Sequence, residues 1–290
     1  MGRAIRLMMA LMMALMMALM MASMMSSALA QSRPPAEGLR LTVFDCGSLR
    51  LEDVASFGLT NADTPVRDLF VPCYLIEHPQ GNMIWDTGLP LTFAGQGRVD
   101  LQPGATVRYE QSLLDQLAAL GLGPADINYL GLSHMHFDHA GAANAFATST
   151  LLIQRTEYEA AFDHASDYPV FDPRLYEGLR GSAATKLEGD YDVFGDGSVM
   201  ILSLPGHTPG HQALALKLAD TGHLVLSGDQ YHFRASRTLH SVPEFNHNRE
   251  ATLASMAKLE AYLVANQATL WIEHDQALAV SLQLAPAFYE

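Results

Sequence analysis

Within Ser133-His134-Met135-His136-Phe137-Asp138-His139-Ala140-Gly141, three imidazoles and a carboxylate fall inside six residues. No other stretch of the chain is so dense in ligand chemistry. If the segment leaves a strand in extended form, His134 and His136 project to the same side, because strand side chains repeat every second residue. Asp138 and His139 then fall where the chain turns and can face a second ion. Neutral imidazoles and carboxylates are ligands for Zn²⁺ or a similar first-row divalent metal. Burying that many titratable groups without an ion would be costly.

The elements that must position these side chains are legible from apolar patterning. Residues 39–45, 69–77 and 83–86 read as strands, the last two joined by the turn His78-Pro79-Gln80-Gly81-Asn82. Residues 47–68, 89–107 and 165–183 read as loops. Leu113, Leu114, Leu117 and Leu120 lie at helical spacing and predict a helix over 109–120, stopped by Gly121. A buried strand at 127–132 delivers the histidine stretch. Residues 140–146 are helix-compatible. A strand at 150–155 leads into a helix at 156–164.

Strands are expected at 199–204, 212–218, 224–227 and 270–272, and a helix at 249–264 with Leu253, Met256, Leu259, Tyr262 and Leu263 on its apolar face. Strands followed by a helix thus occur twice, with no linker between the halves. This predicts an α+β fold with two packed sheets and helices outside, an αββα four-layer sandwich.

Further ligands follow the predicted strands: His207 after 199–204, Asp229 after 224–227 and His274 after 270–272. With His134, His136, Asp138 and His139 they are too many for one tetrahedral zinc. They suit two divalent ions with one carboxylate and a hydroxide between them.

This pattern, His-x-His-x-Asp-His followed by Gly-His, Gly-Asp and a late His, resembles the metallo-β-lactamase superfamily over residues 40–280. Within it the chain looks most like the N-acyl-homoserine lactonase family. The resemblance is carried by Asp45-Cys46-Gly47, Pro72-Cys73-Tyr74, Asp86-Thr87-Gly88, 133–141, 154–159, 188–191, 205–211 and His274-Asp275. It implies one metal held by His134, His136 and His207 and a second by Asp138, His139 and His274. Asp229 bridges, and Asp86 orients a ligand imidazole. It also implies lactone opening by hydroxide held between the ions, with Asp138 passing a proton to the leaving oxygen.

One departure stands out. The family places a Tyr three residues after the bridging Asp, whereas here that position is His232 and Tyr231 is one residue earlier. Either could donate to the substrate carbonyl. His211 is expected to be structural, and His223, His240 and His247, like His232, are not at ligand positions of the family.

The alternatives are a β-lactamase, a thioester or ester hydrolase of the same superfamily, or a non-catalytic metal-binding protein. The antibiotic-cleaving members lack the bridging Asp, and pseudo-enzymes usually lose ligands. The substrate implied is a small lactone with an acyl chain, which the loops at 89–107 and 165–183 would accommodate.

The chain has 290 residues, 49% hydrophobic and 17% charged, with formal net charge −14. One domain over 39–290 accounts for it, after a lead-in at 31–38. The acidic balance argues against nucleic acid as a partner. Arg3 and Arg6 precede a Leu/Met/Ala run broken only at Ser23, then Ala28-Leu29-Ala30. This reads as a cleavable signal peptide over 1–30, with a site near Ala30 and a periplasmic or secreted product. An uncleaved membrane anchor is the alternative. Cys46 and Cys73 each lie in an apolar, strand-like run, which favours free buried thiols over a disulfide. Oligomeric state is not set by any pattern found.

Overall fold

The structure, a computed structural model, describes residues 36–290. The expected leader, its cleavage site and residues 31–35 of the lead-in lie outside the described residues. Alternating apolar side chains on long strands build two sheets. The first holds β1 (Arg40–Leu51), β2 (Asp68–His78), β3 (Gly81–Trp85), β4 (Arg98–Gln102), β5 (Ala105–Arg108), β6 (Tyr129–Gly131), β7 (Thr150–Gln154) and β8 (Ala184–Leu187). Its order is β4-β5-β1-β2-β3-β6-β7-β8. The second holds β9 (Tyr191–Asp192), β10 (Val199–Ser203), β11 (Gln212–Leu218), β12 (Gly222–Leu226) and β13 (Thr269–Trp271), in the order β13-β12-β11-β10-β9. Helices α1 (Leu113–Ala119), α2 (Arg155–Phe162), α3 (Arg234–Leu239), α4 (Arg249–Asn266) and α5 (Gln276–Ala279) complete the regular elements.

Strand periodicity separates the layers. On β2, Phe70, Tyr74 and Ile76 face the second sheet, while Leu69, Val71, Cys73 and Leu75 face α1 and α2. On β11 and β12, Leu214, Leu216, Leu224 and Leu226 face the first sheet, and Ala213, Ala215 and Val225 face α4. Both sheets are therefore covered on both faces, which is why their central strands read as continuous apolar runs. The expected αββα arrangement follows from this packing.

Ser112 caps α1 by accepting from Asp115 N at 3.1 Å. The helix therefore begins at Leu113, later than the expected 109, and Tyr109 is buried in the core instead. On α4, Met256, Leu259 and Leu263 are buried, each contributing roughly 1.5–3 kcal/mol. Leu253 is 37% exposed, contrary to expectation. In the first turns of α4 the buried positions are Thr252 and Ser255, because that end packs against a loop backbone rather than a sheet. Ser255 Oγ donates to Pro205 O at 2.7 Å.

Two expected loops hold regular structure, and a helix forms at 234–239, where no element was expected. β1 continues to Leu51 through a bulge between Asp45 and Ser48, where Gly47 takes φ +122°. Residues 98–108 form the β4–β5 hairpin that adds to β1, and 234–239 form α3. Short, exposed or bulged segments carry no clean period. The same weakness hid β8 and β9. Cys46 and Cys73 form a disulfide between β1 and β2, which corrects the expectation of free thiols. The bulge at Cys46 turns its side chain toward Cys73, a geometry absent from a regular strand pattern.

Candidate metal centre

Five strands end on one rim, and each delivers a polar residue there. β3 runs into Asp86, β6 into 133–139, β10 into His207, β12 into Asp229 and β13 into His274. β3 and β6 pair in parallel, as do β12 and β13, so their carboxyl ends lie together. The Asp86-Thr87-Gly88 turn holds the histidine loop. Thr87 N donates to His139 O at 2.6 Å and Gly141 N to Gly88 O at 2.9 Å. A Cβ on Gly141 would lie 2.3 Å from Gly88 O, so this approach of two backbones requires glycine.

The side chains converge as two groups. His207 Nε2 lies 3.1 Å from His134 Nε2 and 3.0 Å from His136 Nδ1. His139 Nε2 lies 3.3 Å from His274 Nε2, with Asp138 Oδ2 at 4.0 and 3.8 Å from these two nitrogens. Asp229 stands between the groups. Its Oδ2 is 3.1 Å from His207 Nε2 and 3.6 Å from His134 Nε2. Its Oδ1 is 3.1 Å from His139 Nε2 and 2.9 Å from His274 Nε2.

The outer nitrogens fix which way four of the rings point. His134 Nδ1 lies 3.0 Å from Ser133 Oγ, and His207 Nδ1 donates to Asn246 Oδ1 at 2.8 Å. His139 Nδ1 donates to Asp86 Oδ2 at 2.7 Å, and His274 Nδ1 to Phe70 O at 2.6 Å. A proton held outside leaves the inner nitrogen's lone pair facing the cluster, as metal-ligating imidazoles require. Asp86 also accepts from Ser133 N and Ser133 Oγ at 2.6 and 2.7 Å. It does so from the left-handed region at φ +56°, a strained backbone for a residue with a side chain.

Electrostatics distinguish the two groups. Burial, with neighbouring imidazoles, holds His134 and His136 well below the ordinary histidine value, so both are neutral. Burial also lowers His139 and His274, but Asp229 and the nearby carboxylates outweigh it. His139 stands well above its ordinary value and His274 at about 9. Asp229 is held well below the carboxylate range, its burial overcome by His232, His139 and His274.

These residues fit two divalent cations. The lone pairs of His134 Nε2 and His136 Nδ1, 3.1 and 3.0 Å from His207 Nε2, repel that of His207 unless a cation lies between them. Asp229 Oδ1 is buried with no hydrogen-bond donor of its own. The groups His134/His136/His207/Asp229 and Asp138/His139/His274 each have their ligand atoms within 4.8 Å of one another. All seven expected ligands are thus brought together.

Tyr231 and His232 part company. The 3-10 turn over Gly228–Gln230 ends before Tyr231, whose backbone is extended at φ −141° and ψ 133°, so Tyr231 and His232 project to opposite sides. His232 Nε2 therefore lies 2.9 Å from Asp229 Oδ2, buried against the cluster rather than at the surface. Tyr231 packs under α4 and donates to Glu260 Oε1 at 3.0 Å, which removes it as a donor at the cluster. His211 lies between Leu204 O at 3.0 Å and Asp229 N, which donates to its Nε2 at 2.9 Å, so it positions the Asp229 backbone. His223 is half-buried, and His240 and His247 are exposed.

Sequence reasoning missed Asn246, which orients His207 and donates to Thr252 Oγ1 at 3.0 Å. Its polar, aperiodic surroundings gave no signal. A cavity of about 330 Å³ opens beside His136 and His207, walled by Tyr168, Val170, Phe171, Phe245 and His247. The segment 165–183 contributes to it. Residues 89–107 do not, since much of that stretch belongs to the β4–β5 hairpin.

Fold and site together define a metal-dependent hydrolase. The chain belongs to the metallo-β-lactamase superfamily, whose family model matches residues 66–264. It is 31% identical over 260 residues to the N-acyl homoserine lactonase AttM of Rhizobium radiobacter, covering 87% of this chain and 98% of that one. Its place within the superfamily is among the N-acyl homoserine lactonases.

Two solved structures agree. One is an N-acyl homoserine lactone hydrolase with the product N-hexanoyl-L-homoserine at its catalytic metal centre. It has TM-score 0.73 and 27% identity, covering 86% of this chain and 98% of that one. The other is a variant of Bacillus thuringiensis AiiA with N-decanoyl-L-homoserine at its active site. It has TM-score 0.73 and 26% identity, with coverage of 86% and 98%.

Proposed function

We propose that this protein opens the lactone ring of N-acyl homoserine lactones with two divalent ions, Zn²⁺ by preference. The observation that carries the reading is Asp229, whose two oxygens face two separate groups of imidazoles. His134, His136 and His207 would hold one ion, Asp138, His139 and His274 the other. When bound, the ions supply a water acidified to near neutrality and a Lewis acid for the ester carbonyl.

The remaining steps fall to the chain's own side chains. His232 Nε2 lies 2.9 Å from Asp229 Oδ2 and donates to it; with that oxygen taken up by a bound cation, the N–H would be free to donate to the carbonyl oxygen as its charge develops. Asp138, the loosest of the cluster carboxylates, takes the proton from the attacking water and returns it to the ring oxygen as the C–O bond breaks. The product is the ring-opened N-acyl homoserine carboxylate. Tyr168, Phe171 and Phe245 offer the acyl chain an apolar wall.

The leader-like segment, together with a disulfide of the kind that persists in oxidising compartments, supports an exported protein. Cell fractionation tests this, and a wholly cytosolic product contradicts it. The function is tested by a hydrolysis panel on metal-loaded protein: homoserine lactones of short and long acyl chain, simple γ- and δ-lactones, and a chromogenic cephalosporin. Opening of acyl-homoserine lactones is expected. Cephalosporin cleavage without lactone opening overturns the reading.

A further inference from the structure

We infer that Glu157 is a positioning residue that holds together the two loops carrying His134, His136 and His207, and so governs one metal site of the pair. Glu157 lies in the first turn of α2 and is fully buried. Its Oε1 accepts from Met135 N at 3.0 Å, and its Oε2 from Gly210 N at 2.8 Å. Met135 stands between His134 and His136, and Gly210 follows His207 by three residues.

One carboxylate therefore ties the two segments that supply all three imidazoles of one group, with one oxygen toward each segment. Gly210 packs directly on it, since a Cβ there would lie 2.6 Å from Glu157 Cβ and 2.5 Å from Glu157 N. The other group has its own buried carboxylate, Asp86, which holds His139 directly and Ser133 at the head of the loop. The two carboxylates differ in reach: Glu157 acts through backbone amides on the His134/His136/His207 site alone, whereas Asp86 holds the His139 ring and, through Ser133 Oγ, also touches His134.

This rests on the two-ion reading above, and the test separates the two. Chelator competition with Zn²⁺, and Co²⁺ absorption spectra, are recorded on wild type and Glu157→Gln. The amide keeps one acceptor but sets an NH₂ against the other N–H. Loss of partners that orient metal ligands typically weakens metal binding about 10–100-fold. A fall of that size is expected for one equivalent only.

The same substitution in a His274→Ala background, where the His134/His136/His207 site remains, should strip the remaining ion. In a His134→Ala background the ion at Asp138/His139/His274 should be unaffected. Two equivalents held by Glu157→Gln with wild-type affinity, or equal weakening of both, overturns the inference. A wild type that binds one equivalent overturns the two-ion reading instead. If Glu157→Gln does not fold, Gly210→Ala displaces the same loop from the other side and is read by the same titration and outcomes.

Discussion

His232 and Tyr231 are adjacent in the chain yet serve different layers, and the difference is one residue of extended backbone after the 3-10 turn. His232→Leu should lower kcat by about 10²-fold, the usual cost of losing one donor to a developing oxyanion, with little change in KM. Tyr231→Phe should leave kcat near wild type, since it loses only the bond to Glu260. Steady-state kinetics on both variants check this, and equal losses would contradict it. Protonation gives a second prediction. In metal-free protein His274 titrates at about 9 against an ordinary 6.5, and Glu273 at about 8 against an ordinary 4.5, raised by burial and by Asp86. Both folded pKa values are raised, so both groups bind extra protons in the folded state, and stability is lost as pH rises through them. The Tm of chelator-treated protein should fall between pH 6.5 and 9. A Tm that rises across that window would contradict the assignment.

At the scale of elements, the parts of the site that were legible in the sequence are those that end a buried strand. His134, His207, Asp229 and His274 each follow an apolar run that has to be a strand, so patterning placed each at a strand end, and the resemblance to the family grouped them. What was not legible depends on contacts between distant segments. Asn246 meets His207 only because α4 presses its first turns onto the 205–207 loop, where a Cβ on Gly206 would lie 2.3 Å from Thr252 N. Cys46 meets Cys73 only because β1 bulges, and a bulge leaves no periodic trace. Tyr231 and His232 could not be separated without the turn that precedes them. The contact between the Asp86-Thr87-Gly88 turn and the histidine loop is testable. Gly141→Ala places a methyl against Gly88 O and the Leu89–Pro90 backbone. Overpacking of this kind costs roughly 1–3 kcal/mol. A lower Tm with weakened metal binding is expected, and wild-type values for both would show that the approach is not tight.

Across the whole molecule, the two sheets meet through one shared apolar layer and open at a single rim, where every ligand-bearing loop emerges. Neither sheet can make the site alone. The first gives Asp86 and the 133–139 loop, and the second gives His207, Asp229 and His274. Asp229 is where the two contributions join, with one oxygen toward each group. The most direct test is metal content and lactone hydrolysis measured together on wild type and Asp229→Ala. Wild type should bind two equivalents and open an N-acyl homoserine lactone. Asp229→Ala should lose metal and activity together. Full turnover by metal-depleted Asp229→Ala protein would contradict the account.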